Sequence, residues 1–113
     1  MEHPIFLIYA EDNDNTALLY TRKLERAGFT VKVVKSGNQA WELLQAEIPD
    51  ILLLDVEMPG KDGLEVLELF RQTNRKTPVV IFSNYLYTGR EIKAIRLGAD
   101  DCIQKGSGSD FLI

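Results

Sequence analysis

A single cysteine, Cys102, leaves no way to close an internal disulfide, so the fold of this chain rests on its core alone. Long apolar runs are missing too: none approaches the roughly 20 residues that cross a bilayer, and none has the form of a signal-peptide segment. Positive charge is not in excess. Thirteen Lys and Arg stand against 17 Asp and Glu, a formal net charge of −4, and the average field of such a chain repels nucleic acid and anionic lipid. The expectation is a chain of a reducing cytoplasm, with no direct nucleic-acid contact and no membrane. Repeats, low-complexity tracts and internal linkers are lacking as well, so residues 1–113 read as one domain. With 45% apolar and 27% charged residues, that domain has enough material for a core.

What is present alternates. Apolar runs of strand length occur at Ile5 to Tyr9, Val31 to Val34, Ile51 to Leu54 and Val79 to Phe82, with a weaker one at Cys102 to Ile103. Between them lie helical spacings: Ala17, Tyr20, Leu24 and Ala27; Ala40, Trp41, Leu44 and Ile48; Leu64, Leu67 and Phe70; Ile92, Ile95 and Ala99. Gly28 and Gly98 punctuate helix ends, Pro49-Asp50 and Thr77-Pro78 precede strands, and Asn13 or Asp14 can cap the first helix. Strands alternating with helices predict an α/β fold, a parallel sheet covered by helices on both faces.

In such a sheet, ligands sit outside the carboxyl ends of the strands. There the sequence places Glu11 and Asp12, then Asp55, Ser83 and Lys105. Asp12 alone would be a helix cap, and Ser83 and Lys105 alone a turn hydroxyl and a solvated amine. Asp55, ending the run ILLLD, is harder to explain that way, because carboxylates that converge repel one another unless a cation sits among them. A set of hard oxygen ligands, incomplete without water and phosphate, suits Mg²⁺. Asp55 would then be a nucleophile toward phosphorus, with Lys105 neutralising one phosphoryl oxygen and Ser83 donating a hydrogen bond to another.

These residues, read with the motifs that carry them (IYAED, LLLDVEMPGKDG, Ser83 and GADDCIQK), resemble the CheY-like receiver domain of two-component response regulators, and the likeness runs over nearly the whole chain. It implies a flavodoxin-like, doubly wound, five-stranded parallel sheet of order 2-1-3-4-5. It also implies that Asp55 accepts a phosphoryl group from a sensor histidine kinase or phosphotransfer protein. Asp12 and Asp55 would bind Mg²⁺ directly, Glu11 through water, and Glu57 through its backbone carbonyl. Glu57 and Tyr85 would flank the phosphoryl group and set how readily water reaches it. The module would catalyse only its own phosphorylation and dephosphorylation, and would answer through a downstream protein target bound near the fourth helix and fifth strand.

Four departures from the family pattern stand out. Cys102 occupies the position where an aromatic switch residue usually stands, and reads as a small apolar filler; Tyr85 and Tyr87 are candidates to take over part of its role. Gly106 replaces a common proline, and Asn84 replaces a small residue and would narrow access to Asp55. The sequence GSGSDFLI ends where the last helix should begin, with Ser109 or Asp110 as its cap and Phe111, Leu112 and Ile113 as the start of its core face. A helix truncated or missing there would leave a bare flank, inviting homodimerisation. Trp41 reads as helix-face core and His3 as solvated. Two other readings stay open: a phosphorylation-independent, receiver-like interaction domain, and a Mg²⁺-dependent phosphatase with an Asp nucleophile.

Overall fold

The computed structural model describes residues 4–84, 86 and 88–106. Strands and helices alternate: β1 (Ile5–Ala10), α1 (Asp14–Arg26), β2 (Phe29–Val34), α2 (Gly37–Ala46), β3 (Ile51–Leu54), α3 (Gly63–Thr73), β4 (Val79–Ser83), α4 (Thr88–Leu97) and β5 (Asp101–Gln104). The strands pair in parallel in the order β2-β1-β3-β4-β5. That is the flavodoxin-like order the family resemblance implies. The readings at His3, Tyr85 and Tyr87, and those for the last helix at Ser109 to Ile113, fall outside the described residues.

The period of two along each strand decides which face a residue serves. Ile8 and Ala10, with Leu52 and Leu54, face the core built with α2, α3 and α4, where Leu44, Leu67, Phe70 and Ala94 are buried. Leu7 and Tyr9, with Leu53 and Phe82, face α1 and its Ala17, Tyr20 and Leu24. Central strands covered on both sides read as unbroken apolar runs, as seen here. Strand ends nevertheless differ from expectation: β1 runs on through Ala10, β2 starts at Phe29, and β4 includes Ser83. Strand pairing, which hydropathy does not report, extends these strands past their apolar stretches, whereas β3 keeps the range Ile51–Leu54.

Helix starts are capped by side chains. Asn13 accepts the Thr16 N–H at 2.9 Å, Ser36 the Gln39 N–H at 3.1 Å, and Asp62 with Glu65 forms a reciprocal capping box. Asp12 is therefore not the cap of α1, and neither is Asp14, whose carboxylate pairs with Lys35.

Four expected core positions are corrected. Ile92 and Ile95 lie on the outside of α4, at 44% and 56% exposure, whereas Ala94 is buried. The side facing the sheet takes the small residue because the helix approaches closely there. Ile48 falls beyond the end of α2 and is 57% exposed. Ala27 caps the carboxyl end of α1, its N–H still bonded to Lys23 O, and is exposed. Trp41 is only partly buried against the core.

Candidate functional site

The strand order reverses between β1 and β3, since the chain leaves β1 toward one edge and later crosses back over it. Glu11 and Asp55 sit one residue past these strands, their backbones still in register. The Glu11 N–H donates to Val34 O at 2.9 Å, Asp55 N–H to Ala10 O at 3.0 Å, and Lys105 N–H to Ser83 O at 2.8 Å. Each charged side chain is thus delivered to the sheet edge by a backbone that cannot drift. Gly63, where α3 begins, closes the loop after Asp55 onto it: a Cβ there would lie 2.1 Å from the Asp55 carbonyl oxygen. No larger residue fits.

Glu11, Asp55 and Lys105 are all buried, at 1%, 4% and 8% exposure. The Lys105 ammonium pairs with Glu11 Oε1 and lies 3.1 Å from Asp55 Oδ2. It also sits 5.4 Å from the centroid of the Phe82 ring, whose face favours a cation. Asp12 is exposed, yet carboxylate oxygens of Glu11, Asp12 and Asp55 lie within 4.8 Å of one another. Two of these carboxylates, those of Glu11 and Asp55, thus share one ammonium. Burial, only partly countered by Lys105 and reinforced by Glu11, pushes the Asp55 carboxyl up to about 6.

The parity that sorts the core also sorts the site. Glu11 and Asp55 continue the face of Tyr9 and Leu53, and Lys105 continues that of Ile103. Ser83 continues the opposite face, that of Ile81, and its hydroxyl donates to Glu57 Oε1 at 3.0 Å. The other oxygen of Glu57 accepts from Arg90 at the start of α4. Glu57 and Arg90 line an open cleft together with Asp12, Met58, Pro59 and Gly60. The structure therefore groups Glu11, Asp12, Asp55 and Lys105, and gives Ser83 to Glu57.

Two residues of this neighbourhood escape a reading of the sequence. Arg90 gives no signal, because nothing in a helical run says which side chain turns back to a loop. Tyr9 does: it precedes Glu11 by two residues and so shares its face. Its hydroxyl donates to Glu11 Oε1 at 3.1 Å. Burial, and behind it Glu11, pushes that phenol far above its ordinary range, so it serves as a donor.

The departures from the family pattern also have places. Cys102 packs partly buried against the core, and burial, with Glu91 and Asp101 behind it, pushes its thiol up to about 11. Gly106 has a φ of 78°, the left-handed region that glycine enters freely. Asn84 is exposed.

Comparison with known proteins identifies the family and the fold. A family model described as the response regulator receiver domain matches residues 7–113. The transcriptional regulatory protein CpxR of Escherichia coli is 40% identical over 99 residues, covering 88% of this chain and 41% of that protein. The transcriptional regulatory protein TctD of Salmonella typhimurium is 35% identical over 99 residues, covering 88% of this chain and 44% of that protein. The chain thus spans less than half the length of these curated relatives. Among solved structures, the receiver domain of Francisella response regulator 1452 superposes with a TM-score of 0.90 at 31% identity, covering 98% of this chain and 91% of that one. The BeF3-activated N-terminal receiver domain of Klebsiella pneumoniae RstA gives 0.89 at 28% identity, covering 95% and 91%.

Proposed function

Because this chain belongs to the response regulator receiver domain family of two-component systems, we propose that Asp55 accepts a phosphoryl group from the phosphohistidine of a sensor histidine kinase or phosphotransfer protein, in a Mg²⁺-dependent reaction. The observation that carries this reading is the imbalance at the sheet edge: three carboxylates have oxygens within 4.8 Å of one another, and two of them, Glu11 and Asp55, are buried and share the ammonium of Lys105. A donor set of hard oxygens fits Mg²⁺, with Asp12, Asp55 and the Glu57 backbone carbonyl as direct ligands and Glu11 acting through water. The bound ion would neutralise charge on the phosphoryl oxygens.

The chain's own groups supply the rest. An Asp55 carboxylate oxygen bonds to phosphorus as the donor's P–N bond breaks, and the displaced imidazole leaves with its electron pair. Lys105 meets the new charge from its place beside Asp55. Ser83 exchanges its hydrogen bond to Glu57 for one to a phosphoryl oxygen, leaving Glu57 to Arg90 alone. The added charge of about −1.5 to −2 then redistributes contacts between the loop after β3 and the start of α4. A downstream protein target reads that change at α4 and β5. Receiver domains are signalling domains, and the reaction here is confined to the module's own phosphorylation and dephosphorylation. No described helix is long and apolar enough to cross a membrane. A cytoplasmic place for the module is part of the same proposal.

Intact mass after exposure to Mg²⁺ and a small-molecule phosphodonor tests it. One added phosphoryl group in the parent and none in Asp55→Ala is the expected result. No addition to the parent, with Mg²⁺ binding intact, overturns the phosphoacceptor reading in favour of an interaction domain. Steady turnover of a phosphomonoester would favour a phosphatase.

A further inference from the structure

Tyr9 lies in the middle of the sheet at 0% exposure, and the packing of its ring does not require its hydroxyl. The ring stands 6.4 Å from that of Phe82, a contact phenylalanine would make equally well. The hydroxyl instead reaches Glu11 Oε1 at 3.1 Å, the oxygen that also takes the Lys105 ammonium. Glu11 Oε2 accepts the Asn13 N–H at 3.2 Å. Both carboxylate oxygens are therefore gripped, and the grip holds Glu11 where its oxygens lie within 4.8 Å of those of Asp12 and Asp55.

We propose that Tyr9 is a positioning residue for divalent-cation binding: its hydroxyl holds the Glu11 carboxylate in the acidic group, so that the cation meets a set already assembled. The proposal deepens the Mg²⁺ reading above and rests on it. Three carboxylates this close repel one another, and Glu11 stays among them only while donors to its oxygens offset the repulsion. Lys105 is one such donor, but Asp55 also claims it. Tyr9 is neutral and anchored in a central strand, and its hydroxyl holds Glu11 without adding a positive charge that would oppose the incoming cation. Partners of this kind, which orient a group near a metal without touching the metal, commonly govern affinity.

The test is calorimetric titration of the full chain with MgCl₂, comparing the parent with Tyr9→Phe and with Tyr20→Phe. Tyr20 also packs on Phe82, with ring centroids 4.8 Å apart, so its variant loses a phenol hydroxyl from the same aromatic cluster. Tyr9→Phe is expected to raise the Kd for Mg²⁺ about three- to tenfold, the loss one hydrogen bond to a charged group corresponds to, with no change in Tyr20→Phe. In a Glu11→Gln background, Tyr9→Phe should have no further effect on the Kd, because the hydroxyl acts only through that carboxylate. An unchanged or tighter Kd in Tyr9→Phe, an equal loss in Tyr20→Phe, or an undiminished effect without the Glu11 carboxylate would overturn the proposal. A parent that binds no Mg²⁺ would instead overturn the metal reading on which it stands.

Discussion

Arg71 and Lys105 are both buried cations, held in opposite ways. Arg71 donates to three backbone carbonyls, Thr77 O at 2.7 Å, Gly98 O at 2.9 Å and Asn74 O at 3.2 Å, and to Asp100 Oδ2 at 3.0 Å. The same Asp100 oxygen accepts the Val79 N–H at 2.8 Å, so α3, the end of α4 and the start of β4 are pinned at one point. Its partners are mostly backbone, which does not move, and one carboxylate balances one guanidinium. Lys105 has side-chain partners, Glu11 and Asp55, with Asp12 close by. A buried charge held mostly by backbone carbonyls makes a joint, whereas one shared between side-chain carboxylates makes a place that responds to added cation or anion.

The contrast predicts that the two regions fail differently. The largest effect is expected at the site: Asp55→Asn should abolish phosphoryl uptake by intact mass, while Arg71→Met should leave uptake intact once folded. In stability the order reverses. Arg71→Met strands the carbonyls it caps and should cost about 3–5 kcal/mol in denaturant unfolding, with Mg²⁺ affinity of the folded protein unchanged.

Asp55 should show the opposite sign. Its carboxyl sits at about 6 in the folded chain against an ordinary 3.8, so protonation favours the fold. That contribution is complete below about pH 3.8 and is lost as pH rises through about 6, an effect on the order of 1–3 kcal/mol. Without Mg²⁺, Asp55→Asn should therefore be more stable than the parent at pH 7 and should lack this dependence. Saturating Mg²⁺ should narrow the gap by stabilising the parent. Equal stability of parent and variant at pH 7 without Mg²⁺ would mean that the cluster is as well satisfied as the joint.

Gly98→Ala tests the joint more gently. Its φ of 110° disfavours any side chain, and a Cβ would meet Arg71 at 3.0 Å, so a loss of about 1–2 kcal/mol is expected, read as a drop in Tm. Smallest of all, Cys102→Ala should cost below about 1.5 kcal/mol, since the thiol is only partly buried and packs against the core without a required partner.

The same contrast divides what could be read beforehand. Glu11, Asp12, Asp55 and Lys105 were legible because strand ends in a parallel sheet share one edge, and apolar runs mark strands to within a residue or two. The joint was not: Arg71 looks like an ordinary charge in an amphipathic helix, and Asp100 looks like part of a motif leading to Lys105. The outward turn of Ile92 and Ile95 was equally hidden, because a spacing shows that a stripe exists without saying which stripe the sheet will take.

By itself, then, the sequence determined the alternation of strands and helices, the sheet edge on which the acidic residues and the lysine emerge, and the family. The first two follow from hydrophobic period, turn residues and chain order, and the family from the resemblance of its motifs to those of receiver domains. Only the tertiary structure decided that Ser83 serves Glu57, that Arg90 closes that pair, that Tyr9 grips Glu11 and that Arg71 is a joint. Each depends on which side chains from distant segments come within hydrogen-bond reach, and that is set by how close and at what angle helices pack on the sheet.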